Sequence, residues 1–225
     1  MKVSLILPVL DEAPFLTETL SRLSTLDRTE IIVVDGGSRD GSLTIARSYT
    51  PLVFTESPGR GRQMNAGASR ATGEVLLFLH ADSRIDASAL SALRKALSGG
   101  GHGVVGGAFR LEIESKRFGI RMIAAGANLR SRWLGLAYGD QGIFVRASVF
   151  RRLGGFPEIL LMEDVSFVRK LRKAGKMIFL ANPVVTSPRR WEKEGLFFTT
   201  VRNWSLLTLY LMGASPRSLS RWYHP

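Results

Sequence analysis

The stretch LLFLHADS, from Leu76 to Ser83, starts with four apolar residues and then changes to a histidine and an aspartate. A short apolar run of this kind predicts a strand that is buried on both faces, as in a parallel sheet. His80 and Asp82 follow the run directly, and both side chains are potential metal ligands. In an open α/β sheet, ligands bind in the crevice beyond the carboxyl ends of the strands. The stretch therefore predicts a core strand that ends at a binding site.

Short β-rich runs alternate with amphipathic helices around this strand. KVSLILPV (residues 2–9) and EIIVVDGG (residues 30–37) are the first two runs. Between them, Leu16, Leu20 and Leu23 recur at helical spacing. Further helices are predicted in GSLTIARSY, in GRQMNAGASRATG and in the segment that carries Leu90, Leu93 and Leu97. This alternation predicts an α/β fold with a doubly wound, mostly parallel sheet.

The second half of the sequence is less regular. GAFRLEIE (residues 107–114) alternates apolar and charged residues, which predicts a strand with one wet face that runs antiparallel. We expect a helix over residues 117–133, a strand in GDQGIFVRA, a short helix in SVFRRLGGF and a helix in EDVSFVRKLRKAG. The chain is thus predicted to form one α/β domain over residues 1–190, followed by a helical segment over residues 191–225.

Composition limits the classes of function that suit this chain. Its 225 residues are 45% hydrophobic and 22% charged, which suits one well-filled domain. The net charge of +12 calls for a polyanionic partner, such as nucleic acid, a phospholipid leaflet or a diphosphate substrate. Because no RNA-binding aromatic strand, zinc-finger spacing or basic-region heptad accompanies the charge, nucleic acid is not the expected partner. The lack of cysteine excludes disulfides and fits the cytoplasm, and the N-terminus is typical of a first strand rather than a signal peptide.

Polar residues follow three of the predicted strands. Asp11 and Glu12 follow the first, Asp35 follows the second, and His80 and Asp82 follow the strand at Leu76. Each alone has a structural explanation, because an aspartate after a strand often caps the next helix and a lone histidine is often structural. The carboxyl ends of parallel strands meet at one edge of a sheet. Together, these residues predict a site.

Several motifs, in the right order, resemble those of GT-A fold, family 2-like nucleotide-sugar glycosyltransferases. PVLDE (residues 8–12) resembles the family's opening segment, and VVDGGSRDGS (residues 33–42) resembles its nucleotide loop. Asn65 and Gly67 stand in the Asn-x-Gly positions of the next helix. HADS lies where the family has its Asp-x-Asp metal motif, and MEDVSFVRKLRKAG resembles its catalytic helix. The resemblance covers nearly all of the first 185 residues, and the variants resemble the selenodomain-associated "transferase 2" subgroup.

The resemblance implies a Rossmann-like GT-A fold and an inverting, metal-dependent transfer of a sugar from a nucleoside diphosphate to an acceptor hydroxyl. Residues 1–100 would form the nucleotide-binding half and residues 101–190 the acceptor half. The residues implied in donor binding are Pro8, Asp11, Glu12, Asp35, Arg60, Arg62, Asn65, His80 and Asp82. For Arg60 and Arg62, solvated charges at a helix end are the equally weighted alternative.

Asp82 is implied as a ligand of Mn²⁺ or Mg²⁺. His80 replaces the first aspartate of the metal motif. It is either a second ligand, which would favour Mn²⁺, or a residue that positions Asp82 or hydrogen-bonds the donor. Gly36 replaces the second aspartate of the nucleotide loop, so that Asp35 alone is implied in contact with the base or ribose.

On the acceptor side, the resemblance implies Asp164 as the general base, with Glu163 orienting it or contacting the acceptor. The structural alternative is that both acids occupy the first turn of a helix, where the macrodipole favours anions. Asp140 and Gln141 in YGDQG are expected to line the acceptor site or the donor sugar, or else to form a plain turn. SPRRW (residues 187–191) is a candidate to close over the diphosphate.

The C-terminal segment carries an apolar helical stripe. It comprises Phe197, Val201, Trp204, Leu207 and Leu211. Its uncharged run, residues 203–216, is 14 residues long and too short to span a bilayer. We expect this helix to pack on the domain or to form a homodimer. The alternative is a peripheral contact with an anionic membrane at its inner face, through Trp204, Trp222, Arg217 and Arg221, which would suit a lipid-linked acceptor.

Two other functions stay open on the sequence alone. The departures at Gly36 and His80 suit a nucleotide-binding protein without transferase activity. The net charge alone suits a module that binds anionic membranes or nucleic acid, with affinity that falls as salt is added.

Overall fold

The computed structural model describes residues 1–98 and 103–223, with a mixed sheet at its centre. The strands are β1 Val3–Val9, β2 Thr29–Asp35, β3 Val53–Thr55, β4 Val75–Phe78, β5 Ser83–Arg84, β6 Val104–Ile113, β7 Ile143–Arg146 and β8 Lys176–Thr186. The helices are α1 Ala13–Leu23, α2 Ser42–Tyr49, α3 Arg60–Arg70, α4 Ala87–Ser98, α5 Phe118–Leu134, α6 Ala147–Arg152, α7 Glu163–Ala174, α8 Arg189–Glu194, α9 Leu196–Leu211 and α10 Pro216–Tyr223. The strand order is β3-β2-β1-β4-β7-β6-β8-β5.

The first half of the chain has the predicted parallel arrangement. β1 pairs in parallel with β2 and β4, and β2 pairs in parallel with β3. All four residues of β4 are buried, as the apolar run predicted. On one face, α3 packs closely on β1, because a Cβ at Gly67 would lie only 2.6 Å from Cγ2 of Ile6. Glycine is therefore required there by helix–sheet packing.

The antiparallel strand of the second half is a different strand from the one that the sequence pattern indicated. β7 runs antiparallel to both β4 and β6. β6, which contains GAFRLEI, therefore runs in the same direction as β1 and β4, and it pairs in parallel with β8. The alternation in β6 is real, since Phe109, Leu111 and Ile113 are buried and Arg110 and Glu112 are exposed. The alternation therefore shows that one face of β6 is exposed to solvent, but it does not determine the direction of the strand.

Two strands were absent from the sequence prediction. β8 is an 11-residue strand that contains Asn182 and Pro183. Because these residues are typical of turns, the sequence pattern did not indicate a strand here. Its register with β6 shifts between Phe109 and Arg110, so that a bulge accommodates these residues. β5 has two residues and pairs only at the end of β8, which leaves no periodicity to detect.

A cluster of phenylalanine rings joins β4 to the helices of the second half. The Phe156 ring lies 4.8 Å from that of Phe78 in β4 and 4.4 Å from that of Phe167 in α7, measured between centroids. Phe150 in α6 completes the cluster at 5.3 Å from Phe78. Offset and edge-on ring packing of this kind stabilises a core beyond the area that it buries. The cluster thus fixes the start of α7 relative to the end of β4.

The C-terminal helices pack on the sheet domain. Leu206 and Leu207 of α9 are buried with Leu136, Met162 and Val165 of the domain. The predicted stripe is only partly covered, because Phe197, Val201, Trp204 and Leu211 are exposed. α8 contains residues 190 and 191, between which the sequence analysis placed the boundary of the α/β domain. The division of the chain into these two parts stays a prediction. No helix within the described ranges has the length and apolar character to cross a bilayer.

Replacement of Phe156 by alanine tests the ring cluster. Phe156 is buried, so Phe156→Ala should lower the free energy of unfolding by about 3 to 5 kcal/mol, measured by urea denaturation. Phe118→Ala is the matched control, because this ring is 75% exposed, and it should change that free energy by no more than about 0.5 kcal/mol. Equal effects of the two substitutions would contradict the packing described here.

Candidate active site

A cleft opens at the edge of the sheet where β1, β4 and β8 end. Its inner part has a volume of about 140 Å³. The predicted site residues that line the cleft are Pro8, Glu12, Arg60, His80, Asp82, Asp140, Glu163 and Asp164. Because β7 runs antiparallel, it begins at the edge where its neighbours end, which brings the preceding turn, Gly139–Gln141, to the cleft. The fold thus collects side chains from both halves of the domain.

Arg189, just after β8, joins two of the predicted strand-end carboxylates. Its Nη1 and Nη2 donate to the two carboxylate oxygens of Glu12 over 2.6 and 2.7 Å. Its Nε lies 3.1 Å from Oδ2 of Asp82. The guanidinium also lies over the ring of Phe15, 4.5 Å from the centroid. Two-point contacts of this kind fix a guanidinium in direction as well as in place.

His80 lies among positive charges in the cleft wall. Desolvation by burial, followed by the charges of Arg60, Arg190 and Arg189, holds the pKa of His80 well below its ordinary value. The imidazole is therefore neutral near pH 7. A neutral ring keeps one lone pair available, either for a metal ion or for a hydrogen bond.

Asp164 faces His80 across Gly139. The backbone N–H of Gly139 donates to Oδ2 of Asp164 over 2.8 Å. A Cβ at Gly139 would lie 2.9 Å from Nε2 of His80 and 3.6 Å from Oδ2 of Asp164, so this glycine lets the two side chains approach. Met162, just before α7, has a positive φ of 68°, a strained conformation for a non-glycine residue. Strain of this kind is often kept at functional sites.

Two further carboxyl groups of the cleft have raised pKa values. Burial raises the pKa of Asp140 to about 6, and the negative charge of Asp164 adds to this effect. Burial and the charge of Asp164 likewise raise the pKa of Glu163. Within the part of the chain that the structure describes, Oδ1 of Asp140 has no hydrogen-bond partner. Buried acids beside one another titrate at different pH values, which is typical of acid–base sites.

Asp11 and Asp35, predicted to bind the donor, organise the loops beside the cleft. Asp35 is buried, and its Oδ2 accepts from the backbone N–H groups of Gly37 and Ser38 over 2.9 and 3.0 Å. Oδ1 of Asp11 accepts from the backbone N–H of Arg39 over 2.7 Å. The bonds of Asp35 hold the loop after β2, and the bond of Asp11 ties the loop after β1 to it. Neither aspartate lines the cleft.

Asn65 and Arg62, also predicted to bind the donor, have protein partners. The side chain of Asn65 exchanges two hydrogen bonds of 2.9 Å with the backbone of Phe156. Arg62 pairs with Glu158 over 3.1 Å, on the surface. Asn65 therefore joins α3 to the turn before α7, and the structure places both side chains outside the cleft.

Gln141, predicted to contact the acceptor, is buried below the cleft. Its Oε1 accepts from Oγ of Ser131 over 2.5 Å, and its Nε2 donates to the carbonyl oxygen of Phe109 over 3.3 Å. Arg130 stacks on the ring of Tyr138, 3.7 Å from the centroid, which holds the start of the same turn. Gln141 thus supports the turn that presents Asp140. The different positions of Asp140 and Gln141 depend on tertiary contacts and are not visible in the sequence.

Several cleft residues were not identified from the sequence. Tyr138 precedes the polar pair, and Asn203, Leu206 and Tyr223 come from the C-terminal helices. Nε2 of Gln63 donates to the carbonyl oxygens of Val9 and Val34, both over 2.9 Å, and so joins the ends of β1 and β2. These additional cleft residues belong to no motif that indicates a binding site, so the sequence alone does not identify them. Arg189 and Arg190 were anticipated within SPRRW, and both line the cleft.

The family model for glycosyl transferase family 2 matches residues 4–153. The chain belongs to this family. This match confirms the resemblance that the motifs predicted. Over 199 residues, this family 2 chain is 26% identical to Glycosyltransferase AglE of Haloferax volcanii, a match that covers 81% of this chain and 65% of AglE. The chain thus spans less than two thirds of that relative.

Solved structures confirm the fold class. S. aureus TarS in complex with UDP-GlcNAc matches 83% of this family 2 chain and 58% of its own, with a TM-score of 0.65 and 21% identity. The mannosyltransferase PcManGT from Pyrobaculum calidifontis, in complex with GDP-Man and Mn²⁺, matches 82% of this chain and 56% of its own, with a TM-score of 0.63 and 24% identity. These likenesses show the α/β GT-A fold that the sequence predicted.

Asp140→Asn tests the buried acid of the cleft. Since the folded-state pKa of about 6 lies above the ordinary value of 3.8, folding takes up a proton between these values, and the free energy of unfolding falls as pH rises through them. The variant should lack this decline. Between pH 4 and pH 7.5, its free energy of unfolding relative to that of the wild type should therefore rise by up to about 3 kcal/mol. Urea denaturation at both pH values measures it. Asp27→Asn, at an exposed position, is the control, and parallel profiles for wild type and Asp140→Asn would contradict the burial of Asp140.

Proposed function

We propose that this protein transfers a sugar from a nucleoside diphosphate to an acceptor hydroxyl, with inversion at the anomeric carbon. The observation that carries the proposal is a single cleft lined by three arginines, by Asp82 and by the acids Glu163 and Asp164. Family membership and the nucleotide sugars bound by TarS and PcManGT support the choice of donor. Residues 1–100 would serve the nucleotide, and residues 101–190 the acceptor.

The arginines that line the cleft are suited to bind the negatively charged leaving group of this reaction. As the bond from the anomeric carbon to the diphosphate oxygen breaks, positive charge develops on the sugar and negative charge on the diphosphate. Arg60, Arg189 and Arg190 line the cleft and carry fixed positive charge. Fixed charges that face a developing negative charge lower the barrier, because they need no reorganisation at the moment of reaction. These residues would therefore bind the diphosphate and stabilise its departure.

A divalent cation, Mn²⁺ or Mg²⁺, would be held by Asp82, with neutral His80 as the second ligand. Among residues 1–98 and 103–223, no group of three or more His, Cys, Asp or Glu side chains is arranged to hold a metal ion. The two residues still fit such an ion, because Mg²⁺ and Mn²⁺ take phosphate oxygens and water as their remaining ligands. When bound, the cation would neutralise charge on the diphosphate. Nε of Arg189 lies 3.1 Å from Oδ2 of Asp82, and this arginine would also neutralise charge on the diphosphate.

Asp164 is the proposed general base. Its Oδ2 accepts one hydrogen bond from Gly139 at the cleft surface and keeps capacity for a second. The acceptor oxygen would attack the anomeric carbon from the side opposite the diphosphate, while its proton passes to the Asp164 carboxylate. The raised pKa of Glu163 favours its protonated form, which avoids a second full charge beside Asp164. Glu163 would position Asp164, and Asp140 would contact the acceptor.

Asp164→Asn tests the base. The variant keeps the shape of the side chain but cannot accept the proton, so donor binding should persist while kcat falls by about 10² to 10⁴. Binding is measured as a thermal shift with UDP, GDP and TDP sugars, and turnover as release of the nucleoside diphosphate. Asp27→Asn is the matched control and should retain both. Unchanged turnover in Asp164→Asn would rule out this base, and nucleotide binding without turnover in the wild type would favour a nucleotide-binding protein without transferase activity.

Asp82→Ala tests the proposed cation site without an activity assay. In the wild type, UDP, GDP or TDP should raise Tm more with Mn²⁺ than without it, because the ion joins the carboxylate to the diphosphate. In Asp82→Ala, the part of the shift that needs Mn²⁺ should be lost. Asp27→Ala, which removes an exposed carboxylate outside the cleft, should behave as the wild type. Equal Mn²⁺-dependent shifts in wild type and Asp82→Ala would remove Asp82 from the metal site.

A further inference from the structure

Two helices expose apolar stripes that the domain core leaves uncovered. On α5, Phe118, Met122, Leu129 and Trp133 are exposed. On α9, Phe197, Val201, Trp204 and Leu211 are exposed. Both sets recur at intervals of three, four or seven residues, so each set lies along one side of its helix. We call these eight residues the α5–α9 face.

The stripes are separate from the sides of the helices that pack on the domain. Ile120 and Ala124 of α5 are buried in a core cluster, and Leu206 and Leu207 of α9 are buried in another. The most exposed rings of the face are Phe197, at 82%, and Trp133, at 78%. Single exposed apolar residues are common, but grouped ones mark an interaction surface.

The two stripes belong to neighbouring helices. A Cβ at Gly119, near the start of α5, would lie 3.4 Å from a methyl group of Leu196, at the start of α9. Further along, Ile123 and Ala127 of α5 line one crevice with Trp204 of α9. The helices therefore lie side by side over several turns. Their outward sides can meet one flat partner together.

The chain segments that carry the α5–α9 face contain basic residues and no acidic ones, although Arg130 is buried and Arg202 pairs with Glu194 of α8. Residues 116–139, which include α5, contain no acidic residue, and neither do residues 195–225, which include α9 and α10. The basic residues of these two segments are Lys116, Arg117, Arg121, Arg130, Arg132, Arg202, Arg217 and Arg221. Of these, Arg121 and Arg132 are exposed on α5 itself. An apolar stripe with basic flanks is the pattern of helices that lie in the surface of an anionic bilayer.

We propose that the α5–α9 face docks the protein onto the surface of an anionic phospholipid bilayer. The apolar rings would enter the boundary between headgroups and acyl chains, and the arginines would contact lipid phosphates. A second copy of the chain suits this face less well, because two arginine-rich surfaces would repel each other. Trp133 of α5 and Trp204 of α9 are exposed, as is Trp222 on α10, and indole rings favour the headgroup region.

Docking in this way would bring the bilayer to one wall of the cleft. Asn203 and Leu206 of α9 line the cleft, whereas Phe197 and Val201 of the same helix are exposed. The proposal goes beyond the proposed function and does not rest on it, because binding to lipid needs no sugar transfer. If both hold, the acceptor reaches the cleft from the membrane side.

Vesicle flotation of the full chain tests the docking. The wild type should float with vesicles of phosphatidylcholine and about 30% phosphatidylglycerol, and much less with phosphatidylcholine alone, with weaker flotation as salt is added. Met122→Glu with Phe197→Glu places one charge on each stripe and should abolish flotation. Arg121→Gln with Arg132→Gln should weaken partitioning by about tenfold or more, since each basic residue near an anionic leaflet contributes several-fold.

Arg151→Gln with Arg152→Gln is the matched control, because this pair is also exposed and basic but lies on α6. It should float as the wild type does. Circular dichroism and nucleotide thermal shifts show whether each variant keeps its fold and cleft. The proposal is overturned if the wild type does not float, if it binds neutral vesicles equally well, or if both face variants float unchanged. It is also overturned if sedimentation shows a dimer that Met122→Glu with Phe197→Glu dissociates, while vesicles do not bind.

Discussion

The shared direction of β1, β4 and β8 is the constraint on which the candidate site depends. Their carboxyl ends meet at one edge of the sheet, where Arg189 bridges Glu12, which follows β1, and Asp82, which follows β4. The three residues are far apart in sequence, and no local interaction could bring them together. Because the bridge uses three guanidinium nitrogens, it fixes both carboxylates in direction. A change of direction in any of these strands would remove its residue from the cleft.

Burial and the charges of the cleft set the protonation of its titratable groups. Cationic Arg60, Arg189 and Arg190 surround His80, which is neutral because an imidazolium there would be both desolvated and repelled. The carboxyl groups are affected in the opposite direction. Burial, together with the negative charge of Asp164, raises the pKa values of Glu163 and Asp140. The cleft thus combines arginines with carboxyl groups whose pKa values differ, as a reaction requires that develops negative charge at one end and releases a proton at the other.

Several residues that the family motifs single out act on the scaffold and not in the cleft. Asp35 holds the loop after β2, Asn65 ties α3 to the turn before α7, and Gln141 supports the turn that carries Asp140. Each uses its polar atoms on nearby backbone or side-chain groups, which satisfies buried hydrogen-bonding groups and positions the catalytic candidates. Motif residues can therefore support a site through contacts with its scaffold.

The sequence by itself determined the α/β class, the parallel first half and the strand-end residues Glu12, His80 and Asp82, because these follow from local periodicity and from the end of each apolar run. Asp164 and Glu163 were identified through their motif, and the structure brings them into the same cleft. The tertiary structure alone decided the directions of β6 and β7, the strand β8 with its internal Asn182 and Pro183, and the choice between Asp140 and Gln141. The physical reason is that direction, register and burial depend on contacts between residues distant in the chain, and a pattern read along one segment carries no information about its partner.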